Sequence, residues 1–114
     1  MNRPEEIHGT TRLIEVGCGK NYITINEQNG SIYEIFNTLG KGGGCADAFC
    51  EALARVIAVS IQDGVDPQRF IHTLKGIICH ARTKEMGDIK EKPSCPHSMG
   101  VALEKYLERM KKEG

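Results

Sequence analysis

This sequence predicts an α+β domain: a small antiparallel β-sheet of two to three strands followed by three α-helices. Three observations lead to that class. From Arg12 the apolar residues come in short runs of period two, an Asn29-Gly30 pair separates two of those runs, and from Cys45 the apolar spacing becomes that of a helix.

Residues Met1 to Thr10 show no periodicity, and Pro4 with two glutamates after it reads as a loose arm that orders only against a partner chain. Leu13, Ile14 and Val16, then Tyr22 to Ile25, then Ile32, Tyr33, Ile35 and Phe36 form three strands rich in branched and aromatic residues. Asn29-Gly30 supplies the positive φ values of a tight hairpin turn. Gly40-Lys41-Gly42-Gly43-Gly44 breaks the strand pattern. A helix from Cys45 then carries Phe49, Leu53, Val56, Ile57, Ser60 and Ile61 on one stripe and ends at Gly64. Asp66 as N-cap and Pro67 at the first helical position start a second helix with Phe70, Leu74, Ile77 and Ile78 buried, and so short a connection implies a helical hairpin. Ala81 to Pro93, charged and without apolar period, reads as an exposed loop. Ser94 caps a last helix in which Met99, Leu103, Tyr106 and Met110 face inward, while Glu104, Lys105, Glu108, Lys111 and Lys112 face water.

A chain of 114 residues with 39% apolar content fills one core, so residues 1–114 are expected to be a single domain. Fifteen basic residues balance fifteen acidic ones, which excludes a sequence-blind phosphate clamp and with it a DNA or RNA polymer as partner. No apolar run reaches the roughly 18 to 20 residues that span a bilayer, and the polar, acidic start resembles no signal peptide. A soluble protein of the cytoplasm with no membrane partner is expected. Five cysteines at irregular spacing suit reduced thiols rather than a disulfide framework. With no Trp, three Tyr and three Phe, an aromatic platform for single strands is also disfavoured.

Chemistry has four candidate homes. Backbone amides of Gly42, Gly43 and Gly44 beside Lys41 can bind an anion at a helix N-terminus, although the loop is neither a Walker nor a dinucleotide fingerprint and equally serves as a plain strand-to-helix turn. Cys79-His80 and Cys95-Pro96-His97, with Cys18, offer metal-ligand side chains but none of the paired spacings of structural zinc sites. No metal and no other cofactor is therefore expected, and no carboxylate stands at a motif spacing to orient a Cys/His pair, so no enzymatic activity is expected. The stretch holding His80, Arg82, Thr83, Lys84, Lys90 and Lys92, followed by Ser94, His97 and Ser98 at a helix start, gathers cations, hydroxyls and free amides that suit phosphate oxygens; a solvated loop with a capping serine is the alternative. Arg55 lies amid Leu53, Val56 and Ile57, where a guanidinium either snorkels past the core edge or faces a partner or ligand.

The blocks Gly17-Cys18-Gly19-Lys20-Asn21-Tyr22-Ile23-Thr24-Ile25-Asn26-Glu27, Leu39-Gly40-Lys41-Gly42-Gly43-Gly44-Cys45-Ala46, Glu51-Ala52-Leu53-Ala54-Arg55-Val56-Ile57, Leu74-Lys75-Gly76-Ile77-Ile78-Cys79 and Ser94-Cys95-Pro96-His97-Ser98-Met99 come in a recognisable order. Together they resemble the TSCPD family, best known as a C-terminal domain of cobalamin-dependent ribonucleotide reductases, over about Leu13 to Leu107. The name-giving Thr-Ser-Cys-Pro-Asp stands here as Pro93-Ser94-Cys95-Pro96-His97, with histidine in place of the acid. The reductase chemistry needs a barrel of several hundred residues, for which this chain has no room.

Free-standing members of this size look like phage and prophage proteins, among them the Thoeris anti-defence sponges. That resemblance implies a non-enzymatic homo-oligomer (dimer or hexamer) that sequesters a nucleotide-derived small-molecule signal, such as a cyclic ADP-ribose derivative or a cyclic oligonucleotide. Under it, Arg55, His80, Arg82, Lys84, Ser94, His97 and Ser98 are the candidate ligand contacts, chosen by chemistry and position. The alternative is an accessory or regulatory domain of a cobalamin-dependent ribonucleotide reductase, with zinc held through Cys18, Cys79 and Cys95.

Overall fold

Strand β1 (His8–Val16) pairs antiparallel with β2 (Gly19–Gln28), and β2 pairs with β3 (Ser31–Gly40). The computed structural model describes residues 3–17, 19–40, 44–78, 83–85, 88–90 and 93–113, and the side chains of all of these except 83–85, 88–90 and 113. Asn29 and Gly30 join β2 to β3 with φ values of 55° and 79°, the left-handed pair that a two-residue type I′ turn requires. Glu27 pairs with Ile32 but Asn26 pairs with Glu34, so Tyr33 is an extra residue, a β-bulge. The bulge resets the alternation. Ile32 and Ile35, of opposite parity, both point into the core, followed by Asn37 and Leu39.

β1 begins at His8, inside the segment expected to be a loose arm, and its partner is the chain's own β2. Ahead of it, Arg3 makes a forked contact with the Glu34 carboxylate at 2.8 to 3.1 Å. Ladder hydrogen bonds need no apolar side chain, which is why residues 8–10 carry no hydrophobic signal.

Helix α1 (Cys45–Gln62) lies on β3. Gly44, with φ of 76°, starts it without a side-chain cap, and Asp47 Oδ1 accepts the Leu39 N–H at 2.9 Å, fastening the first turn to the end of β3. The C-terminus is a Schellman motif: Gly64 N–H donates to Ile61 O and Val65 N–H to Ser60 O, both at 3.0 Å. The buried face is Cys50, Ala54, Ile57 and Ala58, which corrects the expected stripe, because Phe49 and Val56 point outward and only Leu53, Ile57, Ser60 and Ile61 of that stripe are even partly covered. α1 is apolar on two sides, so periodicity cannot choose between them. The small side chains of Ala54 and Ala58 let the helix backbone approach the sheet, and that decides it.

Helix α2 (Pro67–Leu74) is capped by Asp66, whose Oδ1 accepts the Gln68 N–H at 3.0 Å. It buries Ile71 and Leu74 but packs against α3 (Cys95–Glu113), which corrects the expected hairpin with α1. Gly100 makes that approach possible, since a Cβ there would come within 3.0 Å of Lys75 Cγ. Ile77 and Ile78 lie beyond the helix end and are exposed, not buried as expected. Within the stretch expected to be a loop, β4 (Thr83–Glu85) and β5 (Asp88–Lys90) pair as a short hairpin. α3 turns Met99, Ala102, Leu103 and Tyr106 into the core and leaves Lys105, Glu108, Lys111 and Lys112 in water, as expected, whereas Glu104, also expected in water, is half-buried because it pairs with Lys75 at the end of α2.

The core therefore lies between one face of the three-stranded sheet and helices α1 and α3, with Ile23, Ile25, Ile35, Ile57, Met99 and Leu103 at its centre. Each such side chain contributes about 1.5 to 3 kcal/mol by leaving water.

Candidate functional site

The start of α3 is where three expected ligand residues meet, and the structure gives each a partner within the chain. Ser94 Oγ donates to Ile77 O at 2.5 Å and accepts the His97 N–H at 3.1 Å, so one hydroxyl caps α3 and holds the segment after α2. His97 Nδ1 accepts the Gly76 N–H at 2.7 Å, which leaves the ring proton on Nε2 in the neutral tautomer. Ser98 Oγ donates to Cys95 O at 2.7 Å and accepts from Asn21 Nδ2 at 2.9 Å. Gly17 N–H donates to Pro93 O at 3.3 Å just outside this cluster. These residues thus lock the β1–β2 turn, the end of α2 and the start of α3 to one another.

Arg55 is not part of that cluster. Its side chain is 72% exposed and its Nη2 lies 2.6 Å from Glu51 Oε1, one turn back along α1. An apolar groove of about 310 Å³ does adjoin the cluster, lined by Phe49, Leu53, Ile77, Ile78, Cys95 and Pro96 among others. Ser94 reaches its wall. The groove opens onto an outward stripe of α1 made of Cys45, Ala48, Phe49, Ala52, Val56 and Val59, every one of them exposed. Phe49 keeps 74% of its surface in water and Ile78 keeps 68%. Periodicity places Phe49, Ile77 and Ile78 in the core; a helix apolar on two sides is the available signal that a second surface exists.

Five sequence blocks converge on this arrangement, and the TSCPD domain family model matches residues 2–107. The chain belongs to the TSCPD family. No curated protein and no solved structure matches it.

In this TSCPD domain the first and last of the five blocks touch: Asn21 comes from one, Ser98 from the other, and Asn37 completes a buried amide pair with Asn21 at 2.5 Å. In this chain, residues of those blocks thus hold the scaffold. Of the remaining expected contacts, His80 and Arg82 lie outside the described residues, as do Cys18, Cys79, Lys41 and Lys92. Lys84 and Lys90 sit on β4 and β5, with side chains outside the described set. Among the described residues, no group of three His, Cys, Asp or Glu side chains is placed to hold a metal ion, and no helix is long and apolar enough to cross a membrane. A second, wider groove of about 620 Å³ lies at the far end of the TSCPD core, between the Gly30-Ser31 turn, the α1–α2 connection and Tyr106, Leu107 and Met110 of α3. Its lining offers one cation, Lys111, against Asp66. A third set, Arg12, Lys105 and Arg109, gathers between β1 and α3, where the helical pattern alone marks Lys105 merely as a water-facing lysine.

Proposed function

We propose that this TSCPD domain is a non-enzymatic phage anti-defence sponge that sequesters nucleotide-derived immune signals, cyclic ADP-ribose derivatives or cyclic oligonucleotides, in a site completed when two copies of the chain meet. The observation that carries this reading is the outward stripe of α1 with the groove beside it. A stripe of this size, continuous with Ile77 and Ile78, exceeds scattered surface apolar residues and suits a partner. A second copy fits it by its own pattern. Phe49 and Val56 share nearly the same midpoint along α1 as Glu51 and Arg55, at Ala52–Leu53, and the charged pair runs along one edge of the stripe. In a twofold antiparallel pairing about that midpoint, Phe49 meets the partner's Val56 and Glu51 meets the partner's Arg55, each contact occurring twice. The groove lined by Phe49, Leu53, Ile77 and Ile78 then gains a second wall, an apolar slot of the kind that accepts a nucleobase, next to the polar start of α3. Arg55 acts in this reading at the rim of the interface.

The test is capture. The protein is incubated with candidate signals, freed of unbound ligand and denatured, and the released molecule is identified by mass spectrometry, with light scattering reporting the mass of the assembly. Release of an intact nucleotide-derived signal from a dimer or hexamer is expected. A monomer that releases nothing overturns the reading, and a monomer that instead binds a ribonucleotide reductase through the same face replaces it with the accessory-domain role.

A further inference from the structure

Arg12 of β1 and Lys105 and Arg109 of α3 line a small cleft between the edge strand and the outer side of the helix, together with Thr10 and Tyr106. Thr10 and Arg12 pair with Ile25 and Ile23, so they share the inward face of the sheet. They are polar where β2 is apolar because α3 covers the central strand and leaves a trough along β1. Lys105 and Arg109, one turn apart on α3, overhang that trough.

Among the described residues, three cations meet there without a counter-charge. Arg3, Arg55 and Lys75 all have a carboxylate within 4 Å, whereas among the described residues Arg12, Lys105 and Arg109 have none. Glu27 of β2 accepts the hydroxyl of Tyr106. The Arg109 guanidinium sits 5.7 Å from the Tyr106 ring centroid, so the ring fixes its position. Its Nε is shut off from bulk water and has no hydrogen-bond acceptor among the described residues. A buried, unmatched N–H is costly and its site selects for an acceptor. The chain as a whole has equal numbers of acidic and basic residues, so this accumulation is local and not a by-product of a basic surface.

We propose that this cleft is an oxyanion site for the phosphate or diphosphate group of a small molecule. The enclosed space of the cleft, about 20 Å³, admits a single oxygen-sized group, which can accept from Arg109 Nε while the rest of the phosphate stays at the mouth. Arg12 and Lys105 close on the remaining oxygens and the Thr10 hydroxyl can donate to another. Three cations match a group with more than one negative charge, which favours phosphate over a carboxylate. A nucleic-acid polymer fits poorly, because a strand needs a track of basic residues and the cleft is a single point. From His97 to Arg109 is roughly 18 Å along α3, at 1.5 Å per residue, so this site is separate from the groove at the start of α3 and does not depend on what fills that groove.

The experiment is a titration of the whole, isotopically labelled chain with inorganic pyrophosphate at constant ionic strength, following the arginine Nε–H signals and the backbone amides by NMR, with acetate as control and a short single-stranded oligonucleotide as competitor. Saturable shifts of Arg109 Nε–H and of the Thr10 and Arg12 amides are expected, with at least tenfold weaker affinity in Arg109→Gln and in Arg12→Gln. Arg12 is exposed, so its variant keeps the fold and isolates the charge. No shift, equal shifts with acetate, or unchanged affinity in Arg12→Gln overturns the proposal, and tighter binding of the oligonucleotide replaces it with a nucleic-acid site.

Discussion

Asn21 and Ser98, 77 residues apart in the chain and both without solvent exposure, share a hydrogen bond of 2.9 Å that joins the second strand to the last helix. Each belongs to one of the blocks that carry the resemblance to the TSCPD family, and the bond meets a physical need: a buried amide must be matched or its desolvation is uncompensated. Ser98→Ala leaves Asn21 Nδ2 with only the long 3.4 Å contact to Asn37 Oδ1. A loss of about 1 to 3 kcal/mol in unfolding free energy is expected by urea titration. In a double-mutant cycle with Asn21→Ala the two losses should be strongly non-additive, and additivity would show that the pair is not coupled.

Acid sensitivity should be traceable to Glu34. The forked contact from Arg3, helped by Asn26, holds its carboxyl below the usual carboxylate range. A carboxyl whose pKa is lowered by folding adds stability above its unfolded pKa, and that stability disappears as pH falls through the lower folded value. Glu34→Gln should therefore flatten the decline in melting temperature below about pH 4.5, the ordinary value for the group. A variant that declines as steeply as the parent would place the acid sensitivity elsewhere.

The proposed α1 pairing can be read by charge exchange. Arg55→Ala alone should shift the melting temperature very little, because an exposed pair one turn apart contributes about 0.3 to 0.5 kcal/mol. Glu51→Arg should weaken self-association on the order of tenfold by setting like charges across the interface, and adding Arg55→Glu should restore it. Phe49→Glu should give a folded monomer in light scattering. A dimer unaffected by Phe49→Glu associates through another face.

Gly9 tests the edge strand. A Cβ at this position would lie 2.2 Å from Ile25 O and 2.6 Å from Asn26 Cα, both backbone atoms of β2 that cannot step aside. Gly9→Ala should cost about 1 to 3 kcal/mol and free the first residues of β1 for rapid amide exchange. Parent-like protection at Thr10 and Thr11 would refute the close approach.

Much of this fold was open to view in the residues alone, because the devices are local: Asn29-Gly30 can only turn one way, Asp66-Pro67 starts a helix, Ser94 ends the approach to α3, and Met99, Leu103 and Tyr106 fall on a single face whatever they pack against. Tertiary structure decided everything that depends on a neighbour. Which side of the doubly apolar α1 meets the sheet was set by how closely Ala54 and Ala58 let the helix approach, and that choice turned Phe49 and Val56 outward. α2 lies on α3 because Gly100 leaves room for Lys75. Ser94, His97 and Ser98, legible as a polar cluster at a helix start, proved to be holding the scaffold together, since their partners Ile77, Gly76 and Asn21 come from other elements. Arg12, Lys105 and Arg109 are unremarkable in the chain order. Only the trough between β1 and α3 brings them together, because charge convergence is a property of distances in space that no spacing in one dimension encodes.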